Sequence, residues 1–237
     1  SVRRNNCWKI NMPSYSEILA SKTNITVNDI ASVCYNLLPT EPAIIRQRPY
    51  DYTGRGVDIY TEDFQCNCYA AAYAKMHQQK LNIAFRKLPY SAFSRDINVI
   101  DWGCGQGLGT ISLLEYIQSK YPNCTIHEVV LIEPSAVAIS RAEANIKTWG
   151  KNIQLKVINK KFEDVEKTEN GFAVHCGDKV YESRKCVISA GRSGSKWMEQ
   201  VCDHDVFDYG IIKFAITNFH HLFCIFKRPM QCQCQGE

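Results

Sequence analysis

The spacing of apolar and polar positions changes most sharply at residues 97–110, INVIDWGCGQGLGT. Ile97, Val99 and Ile100 form the short apolar run that a buried parallel strand requires, closed by Asp101 and then by Gly103, Gly105 and Gly107 at alternate positions. This predicts strand, tight turn and helix, with Thr110 as the helix cap and Ile111, Leu114 and Ile117 on one face. A second strand is expected over 125–133, ending in VVLIE, and Ser135 then caps a helix through Ala136, Ile139, Ala142 and Ile146 that Gly150 stops. A third strand follows over 153–158. Strands alternating with helices predict an α/β fold built on a doubly wound, mostly parallel sheet.

Upstream, the pattern is helical. Thr26-x-x-Asp29 reads as a helix start, followed by Ile30, Val33, Cys34, Leu37 and Leu38 as a one-sided stripe that ends before Pro42. Residues 1–24 show no periodicity, and 42–60, with prolines, glycines, Tyr and Arg, read as a long loop able to close over a ligand. The longest helix is expected over 61–85, where Tyr69 and Tyr73 fit core packing or the lining of a pocket. Residues 1–90 are thus expected to form a helical cap or lid segment, and 91–237 the sheet domain. Downstream, Phe172, Val174 and Cys176 alternate before Gly177-Asp178, predicting a hairpin; 186–190, 211–217 and 221–227 read as further strands.

Composition narrows the class. The 237 residues are 45% hydrophobic, enough for a sizeable core, and the net charge of +4 is spread thinly, with short clusters such as Arg46–Arg48, so no nucleic-acid footprint is established. No apolar run reaches membrane-spanning length and no signal-peptide pattern opens the chain, so a cytoplasmic protein without a membrane partner is expected. The chain opens on Ser1, as a processed or shortened chain does. The 12 cysteines lie scattered among apolar residues and read as buried thiols. Cys66-x-Cys68 and Cys232-x-Cys234 lack the spacing of common zinc knuckles, so no metal site is expected.

The glycine turn is a ligand cradle, and its details choose between ligands. A dinucleotide fingerprint, Gly-x-Gly-x-x-Gly, fails because the sixth position from Gly103 is Leu108. Asp101 would repel a phosphate and suits a ligand carrying an ammonium group. The segment Asp101-Trp102-Gly103-Cys104-Gly105, with Gly107, resembles the first motif of the class I S-adenosylmethionine-dependent methyltransferases, whose pattern is an apolar strand, an acid and Gly-x-Gly-x-Gly. The resemblance covers residues 60–164 and implies a Rossmann-like domain. It also implies S-adenosylmethionine as cofactor, bound by Asp101 at the ammonium end, directly or through water, by Gly103, Cys104, Gly105 and Gly107 through close backbone approach, and by Glu133 at the ribose. Family members often hold adenine with an acid before a hydrophobic residue. Lys161 stands there before Phe162, so Glu163 or Asp164, or backbone groups with Phe162 stacking, are left for that role.

The resemblance implies methyl transfer to an acceptor that is RNA, protein or a small molecule. It names no catalytic base. No Asn/Asp-Pro-Pro-Tyr sequence and no Pro-Cys nucleophile is present, which argues against methylation of an adenine or cytosine amino group and against attack on a pyrimidine ring. Residues 163–202, including VISAGRSGS, are similar instead to a stretch of FAD-dependent oxidoreductases, although no N-terminal Gly-x-Gly-x-x-Gly accompanies them. An FAD- or NAD(P)-dependent oxidoreductase, a chimeric chain, and a non-catalytic methyltransferase-like binding subunit are the alternatives.

Overall fold

Capping side chains set where the helices begin. The computed structural model describes residues 13–54, 58–88, 90–93, 97–150, 152–161, 164–169, 171–183, 185–190, 211–213 and 220–226. Helix α1 (Tyr15–Ala20) starts at a Ser14/Glu17 capping box, and α2 (Val27–Asn36) at a Thr26/Asp29 box. The stripe read from Thr26 onward is realised, with Ile30, Val33 and Cys34 buried. Helix α1 was not legible, because it is six residues long, with Tyr15 and Leu19 buried and Ile18 packed partly against the core. The stretch read as a loop holds a short helix α3 (Ile44–Gln47) and a 3-10 turn, Pro49–Tyr52. Helix α4 (Asp63–Phe85) is the longest and packs mainly on α2.

Strand β1 (Ile97–Trp102) is buried at every position, as the apolar run requires. It leads into helix α5 (Leu108–Lys120), which begins at Gly107 and not at Thr110: Gly107 supplies a left-handed N-cap, φ +73°, and its carbonyl accepts from Ile111 N–H at 2.9 Å. Thr110 sits inside the first turn. Strand β2 (Ile126–Ile132) runs into helix α6 (Ala136–Trp149), capped by Ser135 and closed at Gly150 as its sequence signals dictate. Strand β3 (Gln154–Ile158) completes a parallel triplet with β2 at its centre.

Strands β4 (Asp164–Thr168), β5 (Gly171–Cys176) and β6 (Lys179–Ser183) form a separate antiparallel sheet. The β5–β6 hairpin turns at Gly177-Asp178, φ +62° at the glycine, where the sequence places it. This sheet abuts the carboxyl ends of the parallel strands: the Tyr181 ring meets Trp102, the last residue of β1, edge-on at 5.3 Å, and Asp178 lies 3.8 Å from Lys160 beyond β3.

Strands β7 (Lys185–Ala190), β8 (Ile211–Lys213) and β9 (His220–Phe226) extend the main sheet to the order β3-β2-β1-β9-β7-β8. The stretch 186–190, read as a further strand, is a strand of this sheet, and it is separated from β1 by β9, which runs antiparallel to both neighbours. The described fold is therefore mixed α/β, with parallel and antiparallel pairs in one sheet. Ile97, Val99, Val129 and Leu131 join buried residues from α1, α2, α4, α5 and α6 in one apolar cluster. Ile100, Trp102, Val130 and Ile132 point to the opposite face by strand alternation and are equally buried. Among the described residues, no helix is long and apolar enough to cross a membrane.

Candidate functional site

Register brings the turn after β1 and the acid after β2 side by side. Trp102 pairs with Ile132, so the ladder runs on into the turn: Gly103 and Cys104 N–H groups donate to the Ile132 carbonyl at 2.7 and 3.1 Å. Gly103, Gly105 and Gly107 all have positive φ, +66°, +52° and +73°. Two of them are glycine for different reasons. A Cβ at Gly105 would meet no atom within 4 Å, so its bare face opens onto free space. A Cβ at Gly107 would lie 3.1 Å from the Ala142 Cβ, so this glycine lets α5 and α6 approach.

Glu133, half-buried, holds the site together. One carboxylate oxygen accepts from Gly105 N–H at 3.0 Å and the other from Ser135 N–H at 2.8 Å. The peptide after β2 is fixed from outside by Asn159, whose side-chain amide donates to the Glu133 and Pro134 carbonyls at 2.8 and 2.9 Å. Ser135, as N-cap of α6, accepts from Ala138 N–H and donates its hydroxyl to the Tyr60 carbonyl at 2.5 Å.

Asp101 lies beneath the turn, fully buried, and accepts from the Thr110 hydroxyl at 2.6 Å. Cys104 is also fully buried. Burial, reinforced by the negative charges of Asp101 and Glu133, holds its thiol pKa well above the ordinary value, so it stays protonated at neutral pH. It contributes backbone to the turn and no nucleophile.

Tyr69 and Tyr73 are in edge-on contact at 5.3 Å, and their cluster extends to Tyr60 and His77. Burial pushes the Tyr69 hydroxyl upward, and the charges of Tyr73 and Glu133 add to the shift. Tyr69 packs on the core, as one of its two sequence readings has it, with its cluster beside the acid strand end. Phe162 and Glu163 lie outside the described residues, as do the 191–195 glycine turn and the 230–237 tail. Asp164 is the first residue of β4.

The site includes a buried polar network that the sequence reading missed. Gln106, in the middle of the turn, is 3% exposed and faces inward. Its side-chain amide donates to the Cys66 carbonyl at 2.8 Å, its side-chain oxygen accepts from Arg141 at 3.3 Å, and its backbone carbonyl accepts from Asn145 at 2.8 Å. Arg141 is itself buried, with Nε donating to Asp63 at 2.7 Å, Nη1 donating to Asn67 at 2.8 Å, and its guanidinium stacked 4.2 Å over the Tyr15 ring. The signal was present: Arg141 and Asn145 stand four apart on the face of α6 that also carries Ala138 and Ala142.

No family model matches this chain, and no curated protein matches it.

Proposed function

We propose that the chain is a class I S-adenosylmethionine-dependent methyltransferase, with its cofactor on the glycine turn between β1 and α5. The observation that carries this reading is the pairing of Gly105 with Glu133. A left-handed glycine whose missing Cβ faces open space leaves room for a ligand against the backbone, and the Glu133 carboxylate, by its chemistry an acceptor for hydroxyl donors, accepts from its amide at 3.0 Å. The parallel order β3-β2-β1, joined through α5 and α6, supports a Rossmann-like arrangement, in which ligands sit at the carboxyl ends of the strands.

The donor set fits the cofactor. Glu133 accepts the ribose hydroxyls, the turn from Gly103 to Gly107 gives close backbone approach, and buried Asp101 supplies negative charge for the amino-acid end. When bound, the cofactor supplies an electrophilic methyl group on a good leaving group, so little general acid or base is demanded of the protein. The chain's own task is alignment and exclusion of water. Tyr60 and Tyr69, beside the acid strand end, wall the site from the α4 side. The acceptor belongs to the classes RNA, protein or small molecule.

Titration calorimetry with S-adenosylmethionine, S-adenosylhomocysteine, NAD and FAD tests the reading. Saturable binding of the two sulfur nucleotides alone supports it; preference for FAD, with a yellow protein, replaces it with the oxidoreductase reading. Transfer of labelled methyl to a cell extract separates an enzyme from a binding subunit.

A further inference from the structure

We infer that Gln106 is a positioning residue for the ligand turn, and that Arg141 and Asn145 of α6 and the Cys66 carbonyl of α4 hold it in place. This rests on the reading that the turn binds S-adenosylmethionine.

The turn makes few bonds of its own kind. Gly103 and Cys104 N–H groups follow the β2 ladder, Gly107 N–H returns to the Cys104 carbonyl at 2.7 Å, and Gly105 N–H goes to Glu133. Three glycines in a run of five residues give the backbone many conformations to lose on ordering. Gln106 is the non-glycine residue between Gly105 and Gly107, and each of its polar groups named above is anchored to a helix. Two of these anchors act on the side chain and one on the backbone carbonyl, so both the position and the tilt of the 106–107 peptide are set.

The anchors are themselves constrained. A buried guanidinium is tolerated only when its donors are satisfied, and Arg141 meets Asp63, Asn67 and Gln106 together while covering Tyr15. The Tyr15 hydroxyl in turn donates to Asn145 at 2.6 Å, which fixes the amide that holds the Gln106 carbonyl. Residues of α1, α4 and α6 thus converge on one residue of the turn. The helical N-terminal segment thereby takes part in ligand binding through the turn's ground state.

The test compares wild type with Gln106→Ala, Asn145→Ala and a control, Leu88→Ala. Leu88 is a core residue beyond the opposite end of α4 from Cys66, and its truncation lowers stability without reaching the network. Three quantities are measured: affinity for S-adenosylmethionine and S-adenosylhomocysteine by calorimetry, melting temperature, and amide hydrogen exchange of the 103–107 segment in ligand-free protein. In Gln106→Ala both affinities should fall on the order of tenfold or more, with faster exchange at 103–107. Leu88→Ala should lower the melting temperature with both affinities unchanged. Asn145→Ala should repeat the Gln106→Ala pattern and serves in its place if that variant does not fold. Unchanged affinity and exchange in the Gln106 and Asn145 variants, or equal weakening in Leu88→Ala, overturns the assignment. A wild type that binds neither ligand rejects the cofactor reading instead, and the exchange of 103–107 then decides alone whether Gln106 orders the turn.

Discussion

Gly107 and Ala142 meet where α5 and α6 cross: a Cβ on the glycine would stand 3.1 Å from the alanine Cβ and 3.2 Å from its Cα. Two residues earlier, the same addition at Gly105 meets nothing within 4 Å. Alternate glycines of one motif thus differ: Gly107 closes a helix contact while Gly105 leaves open space, and the two settings predict different losses.

Gly107→Ala should destabilise the protein by about 2–5 kcal/mol, from a left-handed φ forced on an L residue plus overpacking against helix backbone. Gly105→Ala should cost about 1–2 kcal/mol, from the φ alone. Gly105→Val should abolish S-adenosylmethionine binding in protein that still folds. Chemical denaturation and calorimetry on the three variants check this; equal stability losses at 105 and 107, or full binding by Gly105→Val, contradict it.

Glu133→Ala should weaken S-adenosylmethionine and S-adenosylhomocysteine together, by on the order of tenfold to several hundredfold, because two charge-assisted bonds are lost far from the methyl group. The ratio of the two affinities should hold. Asp101→Asn should act on the amino-acid end, leaving adenosine binding nearly unchanged. A fall in adenosine affinity as large as that for S-adenosylmethionine would show that Asp101 does not serve the ammonium.

The buried thiols predict an alkaline limit to stability. Burial pushes Cys34 and Cys66 up to about 12 and Cys68 up to about 11, against an ordinary value of 9.0. Above pH 9 the unfolded chain therefore binds fewer protons than the folded one, and stability falls as pH rises through that range. Below 9 these thiols contribute no slope. Denaturation midpoints from pH 7 to 10.5 should show the decline, and iodoacetamide at pH 8 should leave peptides carrying Cys34, Cys66, Cys68 and Cys104 unmodified until denaturant is added. Rapid labelling of Cys104 in native protein would mean the turn opens.

The Thr26/Asp29 box gives an opposite, acid-side dependence. The Thr26 hydroxyl and N–H hold the Asp29 carboxyl below its ordinary value, so its contribution is present above that value and is lost as pH falls through the lowered one. Thr26→Ala should cost about 1 kcal/mol at neutral pH. It should also flatten the acid limb between pH 5 and 2, measured by thermal melts; an acid limb identical to wild type would leave the box without this role.

The parts legible in the sequence were those governed by neighbours in the chain. The β1 run, the Ser135 and Thr26 caps, the Gly150 stop and the 177–178 turn depend on side chains within a few positions, and each lies where its residues put it. Thr110 misled, because a hydroxyl near a helix start also serves a buried acid, and here Asp101 takes it. Partners distant in sequence were not legible. Gln106 meets Cys66 and Arg141 across 40 and 35 positions, and nothing local distinguishes an inward glutamine from an exposed one. Strand neighbours were equally hidden: 186–190 and 220–226 are both apolar, and β1 accepts either by backbone pairing alone.

The placement of β9 has a consequence for how the chain reaches its native state. The strand at 220–226 is the hydrogen-bonded link between the β3-β2-β1 half of the main sheet and the β7-β8 half, yet it lies more than a hundred positions downstream of β1. Until it emerges from the ribosome, β1 presents an unpaired edge of backbone amides and carbonyls beside the glycine turn, open to pairing with another chain. Pairing at such long sequence separation is entropically slow. One edge of the glycine turn's own strand is therefore paired only by residues more than a hundred positions downstream of it.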